Sequence, residues 1–82
     1  MNQIPYADSN GHLSVEVELR YAANVFLVDS NNLRKYQSGQ QFTHYGGHYT
    51  KSPVRISINK TGRWYLIVDD GGSGQQYNYH FY

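Results

Sequence analysis

The chain is short, nearly neutral and free of cysteine, and each of these properties excludes a class of protein. Its 82 residues suffice for one domain spanning 1–82, and a formal charge of +1 without a dense basic stripe gives no sign of nucleic-acid binding. Without cysteine there are no disulfides and no thiolate zinc sites, while nine tyrosines supply rings that have an apolar body and a polar tip.

The first regular element in chain order is a strand at 12–20, HLSVEVELR. Leucine and valine alternate there with serine and glutamate, which predicts an antiparallel strand with one buried face and one acidic face in water. The next segment, NVFLVD at 24–29, is apolar on both faces. That pattern is typical of a central strand that is covered on both sides.

A short helix is predicted near residues 31 to 37, within DSNNLRKYQSGQQ. Residues 29 to 31 are all helix-capping types, and Gly39 is a suitable stop. Leu33 and Tyr36 are three residues apart, so we expect them to be the helix's contact residues.

The segment FTHYGGHYT at 42–50 concentrates histidine and tyrosine around a glycine pair. A two-residue hairpin turn requires positive φ, which Gly46 and Gly47 can adopt without steric cost. In such a hairpin Tyr45 and His48 share one face, whereas the preceding histidine lies on the other, so the two histidines do not meet on one metal ion.

Two interpretations of this hairpin remain open. Tyr45 and His48 can form an aromatic cross-strand pair that only stabilises the turn. Alternatively, Gly46 and Gly47 let a ligand or partner backbone approach closely, with Arg55 nearby to hold an anionic group; a surface ion pair is the competing interpretation of Arg55.

The last third of the chain predicts three more strands. VRISI at 54–58 alternates, RWYLIVD at 63–69 is apolar on both faces, and QQYNYHFY at 75–82 alternates with aromatic residues. The intervening DDGGSG at 69–74 is explained by an Asp-Gly turn, since it lacks the regular spacing of oxygen ligands found in an EF-hand.

Six or seven short strands at this spacing predict an all-β fold, a small antiparallel β-sandwich or partly open barrel with one short helix. Roughly half of the chain is then strand. We expect ten apolar residues in the core: Val15, Val17, Val25, Leu27, Val54, Ile56, Ile58, Trp64, Leu66 and Val68.

No catalytic motif accompanies this fold. The sequence has no nucleophile-elbow motif, no phosphate-binding loop and no dinucleotide fingerprint, and its four histidines form no catalytic motif. We therefore predict that the protein is not an enzyme, that it uses no cofactor and that it binds no metal.

Residues 23–72 resemble a bacterial domain of unknown function that occurs alone or fused ahead of a Toll/interleukin-1-receptor-like (TIR) domain. The matching segments are ANV with LVDSNN, YGGH, SPVRI and GRWYLIVDDGG, in this order. Because its fusion partner is a signalling or nucleotide-cleaving effector, the resemblance implies a sensor or interaction module. It also implies that Tyr45, Gly46, Gly47 and His48 belong to a recognition surface.

Together these observations predict a binding or sensor module for a small polar or anionic ligand, nucleotide- or sugar-like. The alternative is a module that mediates protein–protein contacts or assembly without a small ligand.

Because the aromatic last strand can leave an exposed edge, we also expect a homodimer formed through an edge strand. No secretory signal and no apolar run of membrane-spanning length are present, so we expect a cytoplasmic protein without a membrane partner.

Overall fold

A computed structural model of the protein describes residues 4–70 and 77–82, and this part contains seven strands and one helix. Their order is β1 (Tyr6–Asn10), β2 (Leu13–Glu18), β3 (Ala23–Val28), α1 (Ser30–Gln37), β4 (Tyr45–Tyr49), β5 (Val54–Ile58), β6 (Thr61–Asp69) and β7 (Asn78–Phe81). The strands form a four-stranded sheet, β1-β6-β3-β4, and a three-stranded sheet, β5-β2-β7, in which every pair is antiparallel. Strands make up 55% of the structure, which confirms the predicted all-β sandwich with one short helix.

The main core lies between the two sheets. Its buried members come from the inward positions of β2, β3, β5 and β6: Leu13, Val15, Val17, Ala23, Val25, Leu27, Val54, Ile56, Ile58, Trp64 and Leu66. Nine of the ten predicted core residues are in this set, and the tenth, Val68, packs against it while half-buried. The buried Trp64 donates its indole N–H to the carbonyl oxygen of Thr61 at 3.2 Å, so its polar atom is satisfied inside the core.

A second apolar cluster covers the opposite face of β3 and β6, and we call it the outer cluster. It is built on Phe26, Val28 and Ile67, against which the helix and the segment after it pack. The ring of Phe26 lies 5.6 Å from that of Tyr36 and 5.5 Å from that of Phe42. This cluster explains why the sequences of β3 and β6 are apolar on both faces, as expected for covered central strands.

Helix α1 begins where its capping residues predict. The Asp29 carboxylate accepts the backbone N–H of Asn32 at 2.9 Å, and Gly39 follows the helix with φ +78°. Leu33 and Tyr36 point into the outer cluster, as predicted. Burial of the Tyr36 phenol, together with the Asp69 carboxylate that accepts its hydroxyl at 3.3 Å, raises the pKa of Tyr36.

The connections between strands place several loops at one end of the sandwich. Asn10 pairs with Thr61 in the four-stranded sheet, and Leu13 pairs with Ile58 in the three-stranded sheet. The β1–β2 and β5–β6 connections therefore lie at the same end of the sandwich. The end of β3 and the start of β4 meet there too, since Leu27 pairs with Tyr45. Strand β1 was not predicted because its sequence, YADSN, has no apolar alternation.

The glycine pair does not form a hairpin turn, so that prediction was wrong. Gly46 and Gly47 lie inside β4 and pair with Phe26 and Val25 of β3. At Gly46 φ is +143°, and an added Cβ would lie against the Val25 carbonyl oxygen and 2.7 Å from the Phe26 Cα. The backbone that lies close to Gly46 is therefore that of strand β3 in the same chain, and not that of a ligand or partner.

The two glycines offer a matched test of this explanation. Gly46→Ala is expected to lower the free energy of unfolding by about 2–3 kcal/mol, because it combines a disfavoured φ with a clash against β3 backbone. Gly47→Ala is the control: nothing lies within 4 Å of its added Cβ. Its effect should stay within about 1 kcal/mol in a urea unfolding experiment. An equal loss of unfolding free energy in the two variants would contradict the close approach of Gly46 to the backbone of β3.

Candidate functional site

Tyr45 and His48 lie on opposite faces of the four-stranded sheet, contrary to the hairpin prediction. Tyr45 packs against the main core, with its ring 5.7 Å from that of Trp64. His48 is exposed on the outer face, where its Nδ1 donates to the Asn24 Oδ1 at 3.1 Å. Because the two side chains diverge, they cannot flank one bound group, and the surface inferred from HYGGH is not assembled.

Arg55 belongs to the other sheet and forms an ion pair. Its Nε donates to the Glu16 Oε2 at 2.8 Å, across the register pair of β2 and β5. The hydrogen bond that Arg55 donates to the Glu16 carboxylate raises the pKa of Arg55 above its ordinary value, although the side chain is 66% exposed. The surface ion-pair interpretation is thus confirmed, and Arg55 faces away from β4 on the outer face of the three-stranded sheet.

A polar cleft opens at the end of the sandwich where the connections converge, and we call it the end cleft. Its volume is about 640 Å³. The polar side chains that line it come from three connections and from the starts of α1, β4 and β6: Asp29, Asn32, Thr43, Tyr45, Asn59 and Lys60, with Thr61. One predicted site residue, Tyr45, therefore belongs to the end cleft, whereas Gly46, Gly47, His48 and Arg55 do not.

The aromatic part of the end cleft is held by the main core. Tyr45 meets the buried Trp64 edge to face, which fixes the tyrosine ring at the cleft. The Lys60 ammonium lies 5.9 Å from the centre of the Tyr45 ring, at the outer limit of a cation–π contact. Lys60 is exposed and lies between β5 and β6, so this cation can be displaced at little cost.

Asn32 joins two sides of the end cleft. Its side-chain Nδ2 donates to the Asp29 Oδ1 at 2.8 Å, and its Oδ1 accepts the backbone N–H of Thr43 at 2.8 Å. The start of the helix is thereby fastened to the segment that leads into β4. These bonds fix the Asp29 carboxylate and the Asn32 amide beside the backbone of Thr43.

Asn59 is held on the opposite side by a chain of hydrogen bonds. Its Oδ1 accepts from the His12 Nδ1 at 2.8 Å, the His12 Nε2 meets the Ser14 Oγ at 3.1 Å, and Ser14 meets the Ser57 Oγ at 2.8 Å. A serine beside an oriented histidine is the arrangement of an activated nucleophile. Ser14 is only 4% exposed, however, and lies outside the residues that line the end cleft. The chain of bonds therefore positions Asn59.

The two histidines of FTHYGGHYT lie on the same outer face, not on opposite faces. His44 packs against Phe26 and Phe42 with ring distances of 5.2 Å, whereas His48 contacts Asn24. Four residues along a strand separate them by roughly 13 Å, too far to share an ion. Within residues 4–70 and 77–82, no three histidine, aspartate or glutamate side chains come together as metal ligands.

The sequence did not predict the end cleft because its residues are far apart in the chain. DSNN was recognised only as a helix-capping sequence, and the turn NKTG at 59–62 received no role. Asp29 and Asn32 from the first, and residues 59–61 from the second, line the cleft. Only the sheet order shows that these turns share one end of the molecule. The predicted DDGGSG turn lies mostly outside the described residues; Asp69, its first residue, ends β6.

The fold and site define a small antiparallel β-sandwich with a polar cleft at one end. The chain belongs to a family described as a domain of unknown function (DUF1883), whose model matches residues 7–78. Comparison with curated proteins and with solved structures finds no match. In the part of the chain that the structure describes, no helix has the length and apolar character needed to cross a membrane.

The positions of the two histidines predict that the stability of the protein does not depend on a bound metal. Thermal melting curves measured with and without a chelator such as EDTA should coincide, since His44 is packed in an aromatic cluster and His48 pairs with an amide. A chelator-induced fall of more than a few degrees in the melting temperature would contradict this assignment.

Proposed function

We propose that this protein is a non-catalytic binding or sensor module that holds a small polar ligand, nucleotide- or sugar-like, in the end cleft. The observation that carries the proposal is the convergence of Asn32, Asn59 and Lys60 around the exposed part of Tyr45. Binding sites for small molecules combine an apolar wall with a few fixed polar groups. The end cleft has this composition.

The geometry favours binding over catalysis. Asp29 and Asn32 already satisfy each other and the backbone of the helix start, so they are rigid contact groups. The serine and histidine of the Asn59 chain are hydrogen-bonded among themselves, and the serine is buried. Such groups can recognise hydroxyl, amide or charged groups of a ligand without reacting with it.

The resemblance to a domain fused ahead of TIR domains supports the sensor role. We infer that, in such an arrangement, the small β-domain would report the presence of a ligand to its effector. We propose accordingly that this is a bacterial, cytoplasmic member of the family, acting in association with TIR proteins. This part of the proposal rests on analogy within the family and not on the geometry of the cleft.

The proposal is tested by a thermal-shift screen with nucleotide and sugar libraries, followed by variants of the two candidate surfaces. Tyr45→Leu removes the cleft's ring while keeping an apolar side chain against Trp64, and we expect it to weaken binding of any hit at least tenfold. His48→Ala is the matched control, because His48 faces the opposite side of the same strand. The affinity of the His48→Ala variant for the same hit should remain unchanged.

Three outcomes of this screen would contradict the end-cleft proposal. If His48→Ala loses binding and Tyr45→Leu keeps it, the ligand binds at the outer face of β4 and not in the end cleft. If no compound of either library changes the melting temperature, the proposed ligand-binding function is wrong. Retention of full affinity in a folded Tyr45→Leu variant would exclude the cleft as the site; circular dichroism and the melting curve establish that the variant is folded.

A second candidate function, protein interaction or assembly, is favoured by strand β7. It is an edge strand of the three-stranded sheet, and it carries Tyr79, which is 48% exposed; Tyr82, just after it, is 58% exposed. Exposed edges pair readily with another strand, so we propose a homodimer through β7.

The homodimer predicts a light-scattering mass of two chains at tens of micromolar. Tyr79→Lys should lower the mass to one chain, because a charge on an edge opposes strand pairing. Tyr21→Lys is the control, since Tyr21 is 67% exposed and lies between β2 and β3. A mass of one chain for the unmodified protein would contradict the homodimer.

A further inference from the structure

We propose that the ligand of the end cleft is a neutral saccharide. This inference rests on the proposed function and narrows its ligand to one chemical class. It is carried by the charge balance of the cleft, by the occupation of the helix start, and by the combination of hydrogen-bonding groups with an aromatic ring.

The charge of the end cleft is balanced. Among the polar side chains that line it, Asp29 and Lys60 carry opposite charges, and the others are amides, hydroxyls and a phenol. A nucleotide brings one or more negative charges, which are normally met by several cations or by free backbone N–H groups. Among residues 4–70 and 77–82, the cleft has one lysine, which is exposed, and it is opposed by an aspartate. Such a lining is poorly matched to phosphate and well matched to a neutral molecule.

The start of helix α1 strengthens this distinction. A helix N-terminus that borders a cleft can bind phosphate through its unsatisfied N–H groups. Here the Asp29 carboxylate already accepts the N–H of Asn32 at 2.9 Å, so a carboxylate occupies the position that a phosphate would take. An anionic ligand would approach this carboxylate directly and be repelled by it.

The hydrogen-bonding groups of the end cleft suit vicinal hydroxyls. A sugar hydroxyl both donates and accepts, so it can bridge a carboxylate acceptor and an amide or ammonium donor. Asp29 supplies the acceptor, while Asn59, whose Oδ1 is engaged by His12, presents its amide N–H groups as donors. Lys60 adds a charged donor on the same side as Asn59.

Tyr45 supplies the apolar contact that a sugar ring requires. A pyranose has a face of C–H groups, which packs against an aromatic ring held in place. The ring of Tyr45 is held by Trp64, and the ammonium of the exposed Lys60 lies 5.9 Å from the ring centre. A bound sugar would displace this ammonium from the ring face, leaving it able to donate to a ring hydroxyl.

Two charge-removing variants separate a neutral ligand from an anionic one by the direction of their effects. Asp29→Asn keeps a good helix cap but replaces the charged acceptor, so affinity for a neutral sugar should fall about fivefold. Lys60→Met keeps an unbranched chain without charge and loses one donor to a ring hydroxyl, so that affinity should also fall, by about fivefold, without being abolished. For an anionic ligand, the first variant should increase affinity and the second should abolish binding.

The experiment is a titration of isotope-labelled protein followed by two-dimensional amide spectra. The probes are methyl glycosides of glucose, galactose and N-acetylglucosamine, with glucuronic acid and adenosine monophosphate as anionic comparisons, all at matched millimolar concentrations. We expect the neutral glycosides to shift the amides of Thr43, Tyr45 and Lys60. Lys51→Met is the matched control for Lys60→Met, because Lys51 lies between β4 and β5 at the other end of the sandwich.

Each other outcome overturns a defined part of the argument. If only the anionic probes shift the cleft amides, and Lys60→Met abolishes this, the binding function stands and the saccharide inference is wrong. If no probe shifts the cleft amides, both are overturned. If neutral glycosides shift residues elsewhere and Asp29→Asn has no effect, the end cleft is not the saccharide site.

Discussion

Strands β3 and β6 must be buried on both faces, and much of the structure follows from this constraint. Their inward residues pack against the three-stranded sheet, while Phe26, Val28 and Ile67 face the other way. Each large apolar side chain left in water would forfeit about 1.5–3 kcal/mol. The segment between β3 and β4 is therefore a helix with Leu33 and Tyr36 directed at this outer face, and not a short turn.

The same cover determines the shape of the end cleft. Helix α1 starts directly after β3, so its cap, Asp29, remains at the end of the sheet. The return to β4 brings Thr43 back to that end, where Asn32 binds its backbone N–H. The connection between β5 and β6 crosses from one sheet to the other at the same end and adds Asn59 and Lys60. The cleft is thus a consequence of how the second apolar face is covered.

The glycine pair illustrates how a local pattern can support the wrong structure. Positive φ at Gly46 agrees with the conformation that a turn would need, but the residue lies within a paired strand. Its lack of a side chain serves the contact between β4 and the backbone of β3. As a result Tyr45 and His48 alternate to opposite faces, and the histidine-rich segment divides between the core, the outer cluster and solvent.

Local patterns in the sequence determined the strand class, the inward residues of β2, β5 and β6, and the capped helix with its two contact residues. These features depend on side-chain periodicity and on capping chemistry, which act over a few neighbouring residues. Tertiary structure alone decided the pairing of β4 with β3, the position of β1 beside β6 and the convergence of Asp29, Asn32, Asn59 and Lys60. The reason is physical: turns of similar composition are interchangeable locally, and only long-range strand pairing determines which of them share an end of the sandwich.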